Sequence, residues 1–224
     1  MKESLSPGPD GIAAVFVRNL WSVLASPLMV LFNASLSEGV FPAEWKRTYI
    51  TPVFKKGDRD KVVNYRQIAK LSIFAKVFDK LVARKIQGYF MKFMIGEQCG
   101  FLPRRSTVSN LLSFKEYVLS AFAAGQQVDC IYTDLRAAFD SVNFDLLCLK
   151  LERYGVCPTL LSWFGTYLRG RELMVQYKNY VSYSYFPSSG VPQGSNCGPL
   201  AFVIYVNDLI SNVTFASACC MRMI

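Results

Sequence analysis

The stretch Tyr132-Thr133-Asp134-Leu135-Arg136-Ala137-Ala138-Phe139-Asp140 decides how this chain is read. Residues 129–135 have β character and deliver one carboxylate near their end, with an aromatic ring five residues after it. Asp134 is thereby a candidate metal ligand, because a carboxylate at the end of an otherwise apolar strand is costly to bury unless a cation compensates it. Mg²⁺ takes oxygen ligands at short distance and keeps some of its waters, so Asp134 and the Leu135 carbonyl make half a site. The plain alternative for Asp134 is a strand-end turn residue. The other half calls for a second acidic strand downstream, which the sequence does not show. A second segment, Gly190-Val191-Pro192-Gln193-Gly194-Ser195, is a Gly-rich turn that lets backbone approach a ligand closely, or else a simple turn before a helix around Leu200.

At 224 residues with 52% hydrophobic content, the chain can bury one large domain or two lobes. It has seven cysteines without a CxxC pair and no histidine, which excludes mixed Cys/His zinc sets and every Ser-His or Cys-His dyad. The cysteines are expected as reduced core residues of an intracellular protein, nuclear or cytoplasmic. No secretory signal opens the chain, since Glu3 and Asp10 interrupt it early. The longest apolar stretch, residues 12–36, contains Arg18, Asn19 and Pro27, so no membrane partner is expected.

The formal charge of +9 is unevenly placed. Residues 44–126 hold 16 Lys/Arg against 6 Asp/Glu, and the remainder is close to neutral. A concentrated basic lobe beside an acid-bearing one suits a phosphate-backbone track next to a metal site. Part of that charge reads more simply as a solvated helix face, with Lys76, Lys80 and Arg84 opposite Ile73, Val77, Leu81 and Ile86.

Local signals outline an α+β chain. Asp10 is placed to cap a helix through about Leu24, and Ser26-Pro27 supplies a cap and first-turn proline for a second helix ending near Gly39. Residues 47–54 are β-rich, 55–64 form a charged loop and 71–90 have helical period. Residues 127–135 are expected as a strand, 143–154 and 159–168 as helices, and 173–177 with 181–186 as a hairpin around Lys178-Asn179.

The order of segments resembles the reverse transcriptase of a non-LTR (LINE-type, jockey-like) retrotransposon. Besides the two segments above, the resemblance is carried by Ser6-Pro7-Gly8-Pro9-Asp10-Gly11-Ile12, Phe41-Pro42-Ala43-Glu44-Trp45-Lys46, Thr51-Pro52-Val53-Phe54-Lys55-Lys56-Gly57-Asp58, Asn64-Tyr65-Arg66-Gln67-Ile68, and Gly100-Phe101 with Arg105-Ser106-Thr107. It implies a right-hand polymerase, α+β, with an N-terminal helical segment at 1–43, fingers at 44–126 and a partial palm at 127–224. It further implies RNA-directed DNA synthesis from dNTPs on an RNA template with a DNA primer, a two-metal Mg²⁺ site, and an endonuclease domain elsewhere in the intact element.

Residue by residue, the resemblance makes Asp134 the catalytic carboxylate and, with the Leu135 carbonyl, a metal ligand. Phe139 matches the ring beneath the incoming sugar, where it would collide with a 2′-hydroxyl; Gln193 and Gly194 match a turn that approaches nucleotide or template. Lys56 and Arg66 resemble the pair that neutralises the triphosphate during transfer. The plain alternatives are a core phenylalanine and exposed charges. Asp140 matches a motif position without a defined chemical role. Gln67 stands where proline is usual, Cys99 and Phe144 where histidine is usual, and Cys197 where an apolar residue is usual, which reads as decay.

The family places a Tyr-Ala-Asp-Asp hairpin shortly after the position of Val206-Asn207-Asp208-Leu209, whereas this chain runs on to Cys219-Cys220-Met221-Arg222-Met223-Ile224. With a CGN codon for Arg222, reading those codons from the third base allows Leu-Tyr-Ala-Asp-Asp. The expectation is therefore a frameshift between about Ser211 and Cys219 that removed hairpin and thumb, leaving a C-terminally truncated domain inactive on its own. A residual RNA- or DNA-binding module without catalysis, or a decayed pseudogene product, is the alternative. A group II intron-type fragment fits the Ser-Pro-Gly-Pro-Asp-Gly opening less well.

Overall fold

The structure is a computed structural model that describes residues 6–135 and 137–209. The expected frameshift region and the last six residues lie outside those described.

Two helices open the chain, α1 (Ala14–Asn19) and α2 (Trp21–Glu38). The Asp10 carboxylate accepts from the Ile12 amide at 3.2 Å and does not cap α1, which begins four residues on. Pro27 lies inside α2, not in its first turn as the Ser26-Pro27 pair suggested. An interior proline removes a hydrogen bond and crowds the carbonyl four residues back, costing about 3 kcal/mol. Burial on the following turn offsets that: Leu28 and Phe32 enter the core, and the Phe32 ring stacks on Phe78 with centroids 4.4 Å apart.

A 3-10 turn (Ala43–Lys46) leads into β1 (Thr48–Phe54), which returns through the charged loop as β2 (Tyr65–Leu71). The two pair antiparallel from Thr48↔Leu71 to Phe54↔Tyr65. The Ser72 hydroxyl then caps α3 (Ile73–Phe90) by accepting from the Ala75 amide. The buried seam of α3 runs through Ala75, Phe78, Asp79, Val82 and Ala83, and Leu81, expected inward, is exposed. Helix α4 (Thr107–Ala123) starts in a capping box between Ser106 and Ser109.

Further along, α5 (Phe144–Arg153) is capped by Asn143 and α6 (Pro158–Leu168) starts on its proline, close to the helices expected at 143–154 and 159–168. The strand β3 (Leu173–Tyr177) pairs parallel to β1, Thr48↔Leu173 through Ile50↔Val175. Its hairpin partner β4 is only Tyr180–Val181, with an isolated bridge Leu173↔Tyr185 beyond it. The sheet order is therefore β2-β1-β3-β4, a mixed four-stranded sheet. Helix α7 (Cys197–Val206) is buried along most of its length.

The core lies among α2, α3, α5, α6 and α7. Trp163, Tyr167, Phe41, Phe78 and Phe90 are its largest fully buried side chains. The Trp163 indole N–H donates to Ser35 Oγ at 3.0 Å, and that hydroxyl donates to the Val40 carbonyl, so the buried polar tip is satisfied.

Two expectations fail here. Residues 127–135 form no strand: they lie in neither helix nor sheet, with Ile131 91% exposed and Asp134 and Leu135 exposed beside it. The four strands of the described residues pair among themselves, and a strand without a partner has no sheet to hold it. Nor are the cysteines uniformly core residues. Cys197 is buried and Cys99 and Cys148 partly so, but Cys130 and Cys157 are exposed; all five are free thiols. Among the described residues, no helix is long and apolar enough to cross a membrane.

Candidate functional site

The two segments singled out in the sequence meet. The Gly190 amide donates to the Val142 carbonyl and the Val191 amide to the Phe139 carbonyl, each at 2.8 Å, while Ser189 Oγ donates to the Asp140 carbonyl. Gly190 has φ +98°, and a Cβ on it would fall 2.9 Å from Asp140 Cα. Gly194 has φ +126°, and its Cβ would fall 2.7 Å from the Ala69 carbonyl oxygen of β2. Glycine is required at both places for backbone conformation and for closeness of approach. The Gln193 carbonyl accepts from the Ala69 amide at 2.7 Å, so the turn lies directly on β2.

Asp79 holds the far side of this turn, a residue that reading the sequence missed. Wholly buried, it accepts through Oδ1 from the Cys197 amide (3.0 Å) and the Tyr167 hydroxyl (2.9 Å). Its Oδ2 accepts from the Asn196 side chain (2.9 Å) and main-chain amide. A carboxylate at the N-terminus of α7 is favoured by the helix dipole and by the free amides there. The available signal was an acid on the Ala75-Phe78-Val82 seam of α3, visible once that seam, not the Leu81 face, is taken as the buried one.

Between the sheet and the turn lies a cleft of about 280 Å³, lined among others by Ile50, Gln67, Ala69, Asp140, Arg171 and Gln193. Side chains alternate along β2, so with Gln67 and Ala69 facing the cleft, Arg66 and Ile68 face the other side of the sheet. Lys56 is exposed in the β1–β2 loop. Phe139 is half-buried, stacked on Phe202 of α7 (5.0 Å) and edge-on to Phe101 (5.8 Å). The structure thus brings Phe139, Asp140, Gln193 and Gly194 together. Asp134, Leu135, Lys56 and Arg66 are not among the residues that line the cleft.

Asp140 remains exposed as a residue, yet desolvation at the cleft mouth pushes its carboxyl above the ordinary carboxylate pKa. A native pKa above the unfolded value means that the associated stability is full below the unfolded pKa, about 3.9, and is lost as pH rises through the native one. Asp140→Asn is accordingly expected to melt slightly above the parent at pH 7 and level with it at pH 3. Paired thermal melts check this, and a parent that melts higher at pH 7 contradicts it.

Comparison with known proteins follows the same segments. The family model for reverse transcriptase (RNA-dependent DNA polymerase) matches residues 54–221. A probable RNA-directed DNA polymerase from transposon BS of Drosophila melanogaster is 30% identical over 210 residues, 91% of this chain and 23% of the relative. The corresponding protein of the X-element has the same identity and coverage. The RNA-directed DNA polymerase from mobile element jockey of the same fly is 27% identical over 91% of this chain and 22% of its own length. The chain spans less than a quarter of the length of these relatives.

Proposed function

This chain belongs to the reverse transcriptase family, on its non-LTR retrotransposon branch, and we propose that its 224 residues are a part of an RNA-directed DNA polymerase that holds nucleic acid without transferring nucleotides by itself. In this reading residues 1–43 are an N-terminal helical segment, 44–126 the fingers and 127–224 a partial palm without the Tyr-Ala-Asp-Asp hairpin and thumb. Lys56 and Arg66 serve the triphosphate, and Phe139, Gln193 and Gly194 the nucleotide.

One observation carries the second half of the proposal. The family works with Mg²⁺, but Asp134 sits exposed on a stretch outside the sheet, and among the described residues no group of three His, Cys, Asp or Glu side chains is arranged to hold a metal ion. Asp208, the last carboxylate of the sequence, is engaged by Lys150 at 2.5 Å. The donors present therefore do not fit a two-ion site.

The first half rests on the basic lobe, whose Lys55 and Lys56 project from the loop between β1 and β2. Binding to single-stranded RNA and to an RNA–DNA hybrid is expected to be sequence-tolerant and to weaken steeply between 50 and 200 mM salt, as measured by fluorescence anisotropy. Reversing Lys55, Lys56 and Arg66 to glutamate should weaken it at least about tenfold and flatten the salt slope by about two units. Affinity indifferent to salt would remove the electrostatic track and with it this proposal.

A further inference from the structure

Helix α2 carries large apolar residues on both of its sides, and only one side is covered. Leu28 and Phe32 enter the core, while Trp21, Val23, Met29 and Val30 are 44–71% exposed. A surface helix ordinarily turns charged residues outward, yet residues 19–37 contain no charge at all. Beside the exposed residues runs a groove of about 430 Å³ between α2, α3 and α6, with Ala25, Met29, Leu81, Ile86 and Leu160 in its walls. Among the described residues that line it only Lys85 is charged, and a lysine can lay its stem on apolar surface while its ammonium stays in water. At about 200 Å² for a large side chain, Trp21, Val23, Met29, Val30 and Leu81 leave roughly 550 Å² open. The half-buried walls of the groove bring this toward the ~800 Å² that each partner gives to a stable interface.

We propose that this face binds a second copy of the same chain, through a two-fold contact in which α2 of each protomer lies along the groove of the other. A two-fold contact needs one surface to supply both halves of the fit. Val23 and Val30, seven residues apart and so on one line along the helix, form the ridge, and the groove between α2 and α3 beside them is the recess. The missing charge matters as much as the shape. Two chains of +9 repel one another in general, whereas the 19–37 face brings no charge to the contact. With one lysine in its wall, the groove gives an acidic foreign helix little to select it by.

The test is sedimentation velocity of the 224-residue chain from about 1 to about 100 μM. It is run without nucleic acid and in reducing buffer, because Cys130 and Cys157 are exposed thiols. The parent should pass from monomer to dimer with a Kd in the micromolar range. Met29→Glu, at a position 58% exposed, should raise that Kd at least about thirtyfold by setting like charges against each other across the axis. Met29→Lys should do the same, and an equimolar mixture of the two variants should recover the dimer, which a structural defect in either could not. Should either variant melt well below the parent, the same charge pair at Val23, 71% exposed, replaces it. A parent that stays monomeric at the highest concentration overturns the proposal and leaves the groove to a foreign polypeptide. A dimer indifferent to both substitutions, or a mixture that does not reassociate, overturns it as well. Salt-sensitive nucleic-acid binding through Lys55, Lys56 and Arg66 is measured separately, so either idea can fail without the other.

Discussion

No Mg²⁺-dependent primer extension is expected from the 224-residue polypeptide on a primed RNA template with all four dNTPs. Transfer in this family calls for two ions bridged by carboxylates from neighbouring strands, which act together as a clamp on attacking and leaving oxygens. Asp134 supplies one carboxylate, and residues 127–135, which should carry it on a strand, have no strand beside them among the described residues. A version extended by a Tyr-Ala-Asp-Asp hairpin of the family's kind is the candidate for activity. In that protein Asp134→Asn should lower extension by about 10³-fold or more while leaving template binding within about twofold, because the loss falls on metal placement and not on the basic lobe. Robust incorporation by the 224 residues alone, dependent on Asp134, would mean that Asp140 or Asp208 completes the set and that the inactive reading is wrong.

Asp79→Ala should be the most damaging single substitution for stability. It leaves the Tyr167 hydroxyl, the Asn196 amide and the Cys197 amide without their acceptor in the interior, and removes the negative charge at the start of α7. Several buried donors lost together correspond to about 3–5 kcal/mol, or a melting temperature lower by about 10 °C or more. Asp79→Asn keeps the shape and one acceptor oxygen but turns an amide NH₂ toward donors, so it should fall between. Urea unfolding followed by tryptophan fluorescence reads both. A midpoint for Asp79→Ala within error of the parent would show that the turn and α7 are held by other contacts.

What could be read from the chain by itself was whatever is encoded locally. Asn143 before Phe144, and Pro158 at the start of α6, announce those helices in one turn of sequence each, and the apolar run at Thr48–Phe54 announces a strand. Asp134 and its stretch were misjudged because a strand depends on its neighbours, and pairing partners do not appear in a strand's own residues. Pro27 was misjudged for a related reason: its local preference for a helix start yields to the burial of Leu28 and Phe32. The segments at Phe139-Asp140 and Gly190-Gly194 were each conspicuous, yet their contact joins residues about fifty positions apart. Asp79 escaped notice because it matters through Tyr167, Asn196 and Cys197, partners about ninety to a hundred and twenty positions away.

The parallel pairing of β1 with β3 governs the order in which this molecule can be assembled. Position 48 meets position 173, so the central strand of the sheet waits for its second neighbour until the long intervening segment has left the ribosome, at about 5–20 residues per second. Until then β1 and β2 are an isolated two-stranded ribbon, which is marginal in water. Closing so long a loop slows folding more than it weakens the folded state. Residues on either side of position 126 are thus complementing fragments of one sheet: synthesised apart they would need each other to fold, and a backbone nick in the 127–135 stretch would leave them clasped.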